Sequence, residues 1–171
     1  MQADIVGAGS RWIPEDEYAL ITSRVPIACV DLLLLSCDEG PRIGLILRET
    51  PGGSRGWCLV GGAVLINESI ESAIRRHLKV TLGKAVALRA DTLRFSAVIE
   101  YFSQLRMGEF HDPRKHAIAL TYSAACVGTP RPAGEALDFS WFALDQLPAG
   151  DEFGFGQDRV VNRVLRELDL L

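Results

Sequence analysis

The spacing of apolar and polar positions changes several times along the chain. Val25–Leu35 is apolar and rich in branched residues, broken only by Asp31, which predicts a buried strand carrying one carboxylate. Asp38-Glu39-Gly40-Pro41 predicts a turn, Ile43–Leu47 a second strand, and Pro51-Gly52-Gly53-Ser54 a break. Trp57–Val60 predicts a short strand that runs into the pair Gly61-Gly62. From Ser69 to Leu82 the period becomes helical, with Ile70, Ala73, Ile74, Leu78 and Leu82 in one stripe. Ser69 suits an N-cap, Glu71 the positive first turn, and Gly83 the stop. Thr92–Leu105 and His116–Val127 predict two strands joined by a polar loop, Met107–Lys115. After the Pro- and Gly-rich Thr129–Gly134 comes a short strand, Phe139–Ala143. Asp158–Leu168 predicts a closing helix with Val160, Val161, Val164, Leu165 and Leu168 turned inward. Glu15–Ser23, entered through Pro14, predicts a short helix near the start. Strands mixed with helices on this scale imply an α/β (α+β) sandwich.

Composition narrows the class. A length of 171 residues fits one domain, 1–171, with 1–24 as an N-terminal extension. The chain is 48% hydrophobic and 23% charged, which excludes a disordered polymer. Its net charge of -4 excludes a nucleic-acid-coating role, which needs a strong basic footprint, but leaves room for a small anionic ligand. The longest apolar run, Ile27–Leu35, is far shorter than the roughly 20 residues that span a bilayer. Met1–Arg11 lacks the pattern of a signal peptide, so the expectation is a soluble cytoplasmic protein without membrane or nucleic-acid partners. Cys29, Cys37, Cys58 and Cys126 have neither disulfide-framework nor zinc spacing and read as reduced thiols.

The segment from Gly61 to Gly83 carries the chemistry. Gly62 and Glu68 are separated by five residues, Arg76 follows after seven more, and Gly83 closes the segment. The aromatic strand Trp57-Cys58-Leu59-Val60 leads into it. These anchors, in a strand–loop–helix setting, resemble the Nudix hydrolase box, here in a degenerate form over residues 61–84. The resemblance implies a Nudix-type mixed β-sheet sandwich flanked by helices. It also implies Mg²⁺ or Mn²⁺ as cofactor, since the family's helix lines up carboxylates for a hard cation. In this chain His77 stands in place of the glutamate after the arginine, and Val80 and Thr81 in place of the paired glutamates.

Within that superfamily the chain is most similar to the GDP-mannose mannosyl hydrolase branch, through Val25-Pro26-Ile27 with Val30-Asp31, the Gly61–Gly83 box, and Phe139-Ser140-Trp141. The resemblance implies that Asp31 contacts the sugar, Arg48 holds the diphosphate, and the Gly61 carbonyl and Glu135 bind the metal. Glu135, Glu68 and Arg48 are then the candidate catalytic residues, and Gly62, Glu68, Arg76 and Gly83 the structural box. Thr81, Ala63 and Ala136 depart from the branch, where it keeps a metal glutamate, a second phosphate-binding arginine and a general-base histidine.

Each candidate also has a plainer reading. Asp31 could belong to a buried ion pair, because a buried carboxylate needs a partner. Arg48 could be a solvated surface charge, and Glu68 with Arg76 a salt link between loop and helix. His77 near the apolar stripe reads as a satisfied core histidine. Glu109, His111 and Asp112 read as a solvated acidic loop that could supply a base, and Arg55 and Arg114 could add phosphate contacts. Two functions follow. One is a divergent hydrolase of a nucleoside diphosphate linked to another moiety, a nucleotide sugar for example. The other is an inactive nucleotide-binding or homodimerising module.

Overall fold

The structure, a computed structural model, describes residues 13–36 and 40–171. The reading of Met1–Arg11, Cys37, and the first half of the Asp38–Pro41 turn lie outside the described residues. In chain order the elements are α1 (Glu15–Thr22), β1 (Ile27–Ser36), β2 (Arg42–Glu49), β3 (Arg55–Cys58), β4 (Val60–Ala63), α2 (Ile70–Leu82), β5 (Ala87–Leu88), β6 (Arg94–Phe102), β7 (Phe110–His111), β8 (Ala117–Val127), β9 (Asp138–Ala143) and α3 (Gln157–Glu167). Two short 3₁₀ turns, Gly150–Glu152 and Gly154–Gly156, lead into α3.

β1 organises the sheet. The strands run β3-β2-β1-β8-β6-β7, with β4 also on β1, β9 on β2 and β5 on β8. β1 pairs in parallel with β8 from Ile27↔Ala117 to Leu35↔Ala125 and antiparallel with β2 and β4. Alternate residues of β1 feed two separate cores. Cys29 and Leu33 pack with Val160, Val161, Val164 and Leu165 of α3. Val30, Leu32 and Leu34 pack with Ala73, Ile74, Leu78 and Leu82 of α2. A strand covered by a helix layer on each side has no solvated face, which is why Val25–Leu35 shows almost no polar alternation.

Two expectations change. Trp57–Val60 is not one strand, because the chain changes partners at Leu59. Arg55–Cys58 pairs with β2 and Val60–Ala63 with β1. The Leu59 amide falls between the two ladders and donates instead to Gln157 Oε1 at 2.8 Å. The Met107–Lys115 loop is not uniformly solvated either. Phe110 is buried in the α3-side core, and Phe110–His111 add a parallel rung to β6.

Burying the helix stripes on both faces makes each layer necessary. Leu78→Ala on α2 and Leu165→Ala on α3 are each expected to cost about 2–5 kcal/mol, as large-to-small changes at fully buried sites do. Denaturant unfolding of both variants checks this. A cost confined to one of them would mean that only one layer carries the fold.

Candidate functional site

The box segment is built as a loop stapled to a helix. Ser69 Oγ accepts from the Ser72 amide at 3.2 Å and starts α2. Gly83 ends it at φ +85°, with its amide on the Lys79 carbonyl, a conformation that favours glycine. Arg76 clasps Glu68 through Nε at 2.7 Å and Nη2 at 2.8 Å, and Nη2 also donates to the Ala63 carbonyl at 2.9 Å. Glu68 accepts from the Leu65 amide as well, at 3.0 Å. The Arg76 hydrogen bonds pull the Glu68 carboxyl down to about 2. His77 donates from Nε2 to the Ala63 carbonyl at 3.0 Å, and burial lowers its pKa, so the ring is a neutral clamp. Gly62, at φ +152°, lies under that ring, and a Cβ there would come 2.6 Å from His77 Cε1. Glu68 and Arg76 thus tie the loop to the helix, Gly62 makes room for the His77 ring, and Gly83 ends the helix.

Asp31 lies on the sheet face toward α3, opposite Gly61 and Thr121 in the two neighbouring strands. Its partner is a hydroxyl, not a cation. Tyr101 donates to Asp31 Oδ2 at 3.2 Å and accepts from Gln157 Nε2 at 3.1 Å. Gln157 in turn holds the Leu59 amide, so four residues form one chain of hydrogen bonds. Only glycine fits opposite, since a Cβ on Gly61 would come 2.6 Å from Asp31 Oδ1. Burial pushes the Asp31 carboxyl up to about 6, against the opposing pull of Tyr101, Lys115 and Arg48.

Arg48, at the end of β2, pairs with Glu135 at 2.8 Å, the arginine side chain 18% exposed and the glutamate 38%. The Arg48 guanidinium carbon lies 5.8 Å from the centroid of the Phe155 ring, and that of Arg114 lies 5.1 Å from the same centroid. Arg114 is itself held bidentately by Asp112 at 2.9 and 2.8 Å. Phe155 adopts φ 58°, a left-handed conformation uncommon for an aromatic residue, within Gly154-Phe155-Gly156. The preceding turn is pressed onto β3, where a Cβ on Gly56 would come 2.8 Å from Gly154 Cα. Two guanidinium groups within about 6 Å of one aromatic ring make a cationic, partly aromatic patch that suits an anionic ligand.

The expected residues therefore divide. Asp31, Arg48 and Glu135 gather in one region, and both Arg48 and Glu135 act electrostatically on the Asp31 carboxyl. Glu68 is held in the staple, with both of its oxygens accepting hydrogen bonds. The acidic loop needs correction, because Asp112 is buried against Arg114 and is not a solvated reserve base. Tyr101, Gln157 and Phe155 escaped the sequence reading. A phenylalanine between two glycines ahead of a helix was the one available signal.

A divalent-metal centre does not fit these residues. The Gly61 carbonyl and Glu135 were the expected ligands, but both Glu68 oxygens are occupied, which leaves Glu135 as the one carboxylate of the expected set not tied into the staple. Among the described residues no group of three or more His, Cys, Asp or Glu side chains could hold a metal ion.

Because the Asp31 carboxyl is raised above its unfolded value of 3.8, its ionisation opposes folding. Stability is full at acidic pH and falls as pH rises through about 6. Asp31→Asn should therefore stabilise the protein at pH 8 by up to an amount on the order of 3 kcal/mol, and the gain should vanish below pH 4. Denaturant melts at both pH values measure it, and equal effects at the two would contradict a buried, raised carboxyl.

The family described as Domain of unknown function (DUF4916) matches residues 8–169. A curated relative, the low-salt glycan biosynthesis protein Agl8 of Haloferax volcanii, is 32% identical over 78 residues, which is 46% of this chain and 48% of that protein. The chain thus matches about half the length of this relative. Among solved structures, a possible asymmetric diadenosine tetraphosphate (Ap4A) hydrolase from Jonesia denitrificans is similar at TM-score 0.77 and 27% identity, covering 86% of this chain and 98% of the other. A MutT NUDIX hydrolase from Burkholderia pseudomallei follows at TM-score 0.63 and 27% identity, covering 82% and 98%. The NUDIX domain of NrtR from Shewanella oneidensis, solved with ADP-ribose, shares the fold at TM-score 0.62 and 19% identity, covering 91% and 99%. With its stapled box, its mixed sheet between helix layers and these matches, the chain belongs to the DUF4916 family within the Nudix hydrolase superfamily.

Proposed function

We propose that the protein is a divergent Nudix hydrolase acting on a nucleoside diphosphate joined to another group, with nucleotide sugars as the substrate class. The observation that carries this reading is the convergence of Arg48 and Arg114 on the Phe155 ring, next to Glu135 and within electrostatic reach of Asp31. Arg48 takes the diphosphate by exchanging Glu135 for a phosphate oxygen, a charge-assisted contact that a guanidinium makes bidentately. The Phe155 ring offers a stacking face for the base. Asp31 faces the linked group, and a carboxyl near 6 can accept or return a proton close to neutral pH. The ligand of the NrtR domain and the pathway named for Agl8 both involve sugars, in line with this class.

A second reading, ligand binding without turnover, is favoured by one specific observation. The box positions that would hold metal carboxylates are His77, Val80 and Thr81, and no alternative cluster replaces them among the described residues. The two readings share the Arg48–Phe155 site and differ in whether product appears.

Both are tested with ADP-ribose, GDP-mannose and Ap4A. At least one should raise the melting temperature, since a ligand bound only by the native state stabilises it by about 2.7 kcal/mol at a hundredfold excess over Kd. Arg48→Ala should weaken that ligand roughly 10–100-fold, the loss that a charge-assisted contact implies. Release of nucleotide product selects the hydrolase, and saturable binding without product selects the second reading. A flat melting temperature with all three would overturn both.

A further inference from the structure

The outer face of α2 carries a feature that the Arg48–Phe155 site does not use. A cavity of about 550 Å³ opens there, lined by Arg75, Arg76, Lys79, Val80 and Lys84. None of its lining residues is acidic, although the chain as a whole carries a net charge of -4. Arg76 is committed to Glu68, and Arg75 is paired with Glu71 one turn earlier at 2.7 Å. Lys79 and Lys84 are exposed and have no acidic partner among the described residues. Val80, 57% exposed, lines the cavity with them, and it stands where the box pattern calls for the first of two paired glutamates.

This face is therefore cationic, and the one box carboxylate position that borders it, Val80, is apolar. Carboxylates would attract a divalent cation that then neutralises phosphate, whereas ammonium and guanidinium groups repel the cation and attract phosphate themselves. The cavity is also linked to Arg48 through one loop. Gly134 lies over Val80, where an added Cβ would sit 3.6 Å from Val80 Cγ1, and the next residue is Glu135, the partner of Arg48. One loop thus borders both the cationic cavity and the arginine assigned to the diphosphate.

We propose that this cavity binds a diphosphate group directly through Lys79 and Lys84, with Arg75 at its edge, and without a divalent metal. For a nucleotide ligand this rests on the reading of the Arg48–Phe155 site given above, while for inorganic pyrophosphate it does not. The ligand chemistry is a compact, multiply charged phosphate anion, free or as part of a nucleotide derivative.

Isothermal titration of inorganic pyrophosphate and, separately, of ADP-ribose in EDTA tests it with the wild-type protein, Lys79→Gln/Lys84→Gln, Lys79→Glu/Lys84→Glu and Arg48→Ala. Pyrophosphate should bind in EDTA, weaken as sodium chloride is raised, and weaken further when Mg²⁺ is added, because the metal neutralises the ligand and not the protein. The neutral double variant should lose about 10-fold or more in affinity and the charge-reversed one more still. Both lysines are exposed, so unchanged melting temperatures are expected, and the neutral pair serves if the reversed pair misfolds. Binding that requires Mg²⁺ or Mn²⁺, binding indifferent to both lysine variants, or capture of heparin without pyrophosphate would each overturn the proposal. Loss of ADP-ribose in Arg48→Ala with pyrophosphate binding intact supports the cavity and the Arg48–Phe155 site as separate contributors. Loss in Arg48→Ala with the lysine variants at wild-type affinity keeps the Arg48–Phe155 site and removes the cavity.

Discussion

The clasp of Arg76 on Glu68 is the interaction on which the rest of the site depends. It joins the loop after β4 to the middle of α2 and so sets the rotation of that helix. With the rotation set, Ile74, Leu78 and Leu82 meet the sheet, His77 closes over Gly62, and Lys79 with Val80 turns outward. The clasp also has a chemical consequence. Arg76 holds the Glu68 side chain at 5% exposure and keeps it ionised far into acid, so the carboxylate is a fastener and not an open ligand. A paired, hydrogen-bonded charge of this kind is costly to break from one side, because the remaining partner is left without compensation.

The second constraint is the burial of β1 on both faces. A strand between two helix layers tolerates a carboxylate only where polar groups meet it, and Tyr101 with Gln157 supply that contact from β6 and from the start of α3. The same Gln157 caps the amide left open where the chain passes from β3 to β4. Asp31, the strand switch and the entry to α3 are therefore one hydrogen-bonded unit. The Phe155 turn immediately before α3 leans on the same region, so the aromatic face and the buried carboxyl are positioned by a common support.

Much of this was legible in residue order. The helical stripe from Ile70 to Leu82 and its caps at Ser69 and Gly83 appear as read, because local periodicity and capping chemistry determine them. The single carboxylate in an apolar strand and the Gly62–Glu68–Arg76 spacing pointed to the right loop and helix. What escaped depends on distant pairing. Tyr101 and Gln157 are ordinary strand and helix residues until β6 and α3 are laid against Asp31. Asp112 looked solvated because its burial comes from the β7 rung and from Arg114, neither of which a polar loop composition announces. Arg114 gained weight only through Phe155, whose left-handed backbone requires the packing of Gly154 on Gly56.

The central claim is that phosphate recognition here runs through cationic side chains and not through a box-bound metal. A crystal structure grown with ADP-ribose and MnCl₂, with anomalous scattering measured for manganese, tests it most directly. The account predicts the diphosphate against Arg48 with no manganese signal between the Gly61 carbonyl and Glu135. A manganese ion held by those two groups would contradict it.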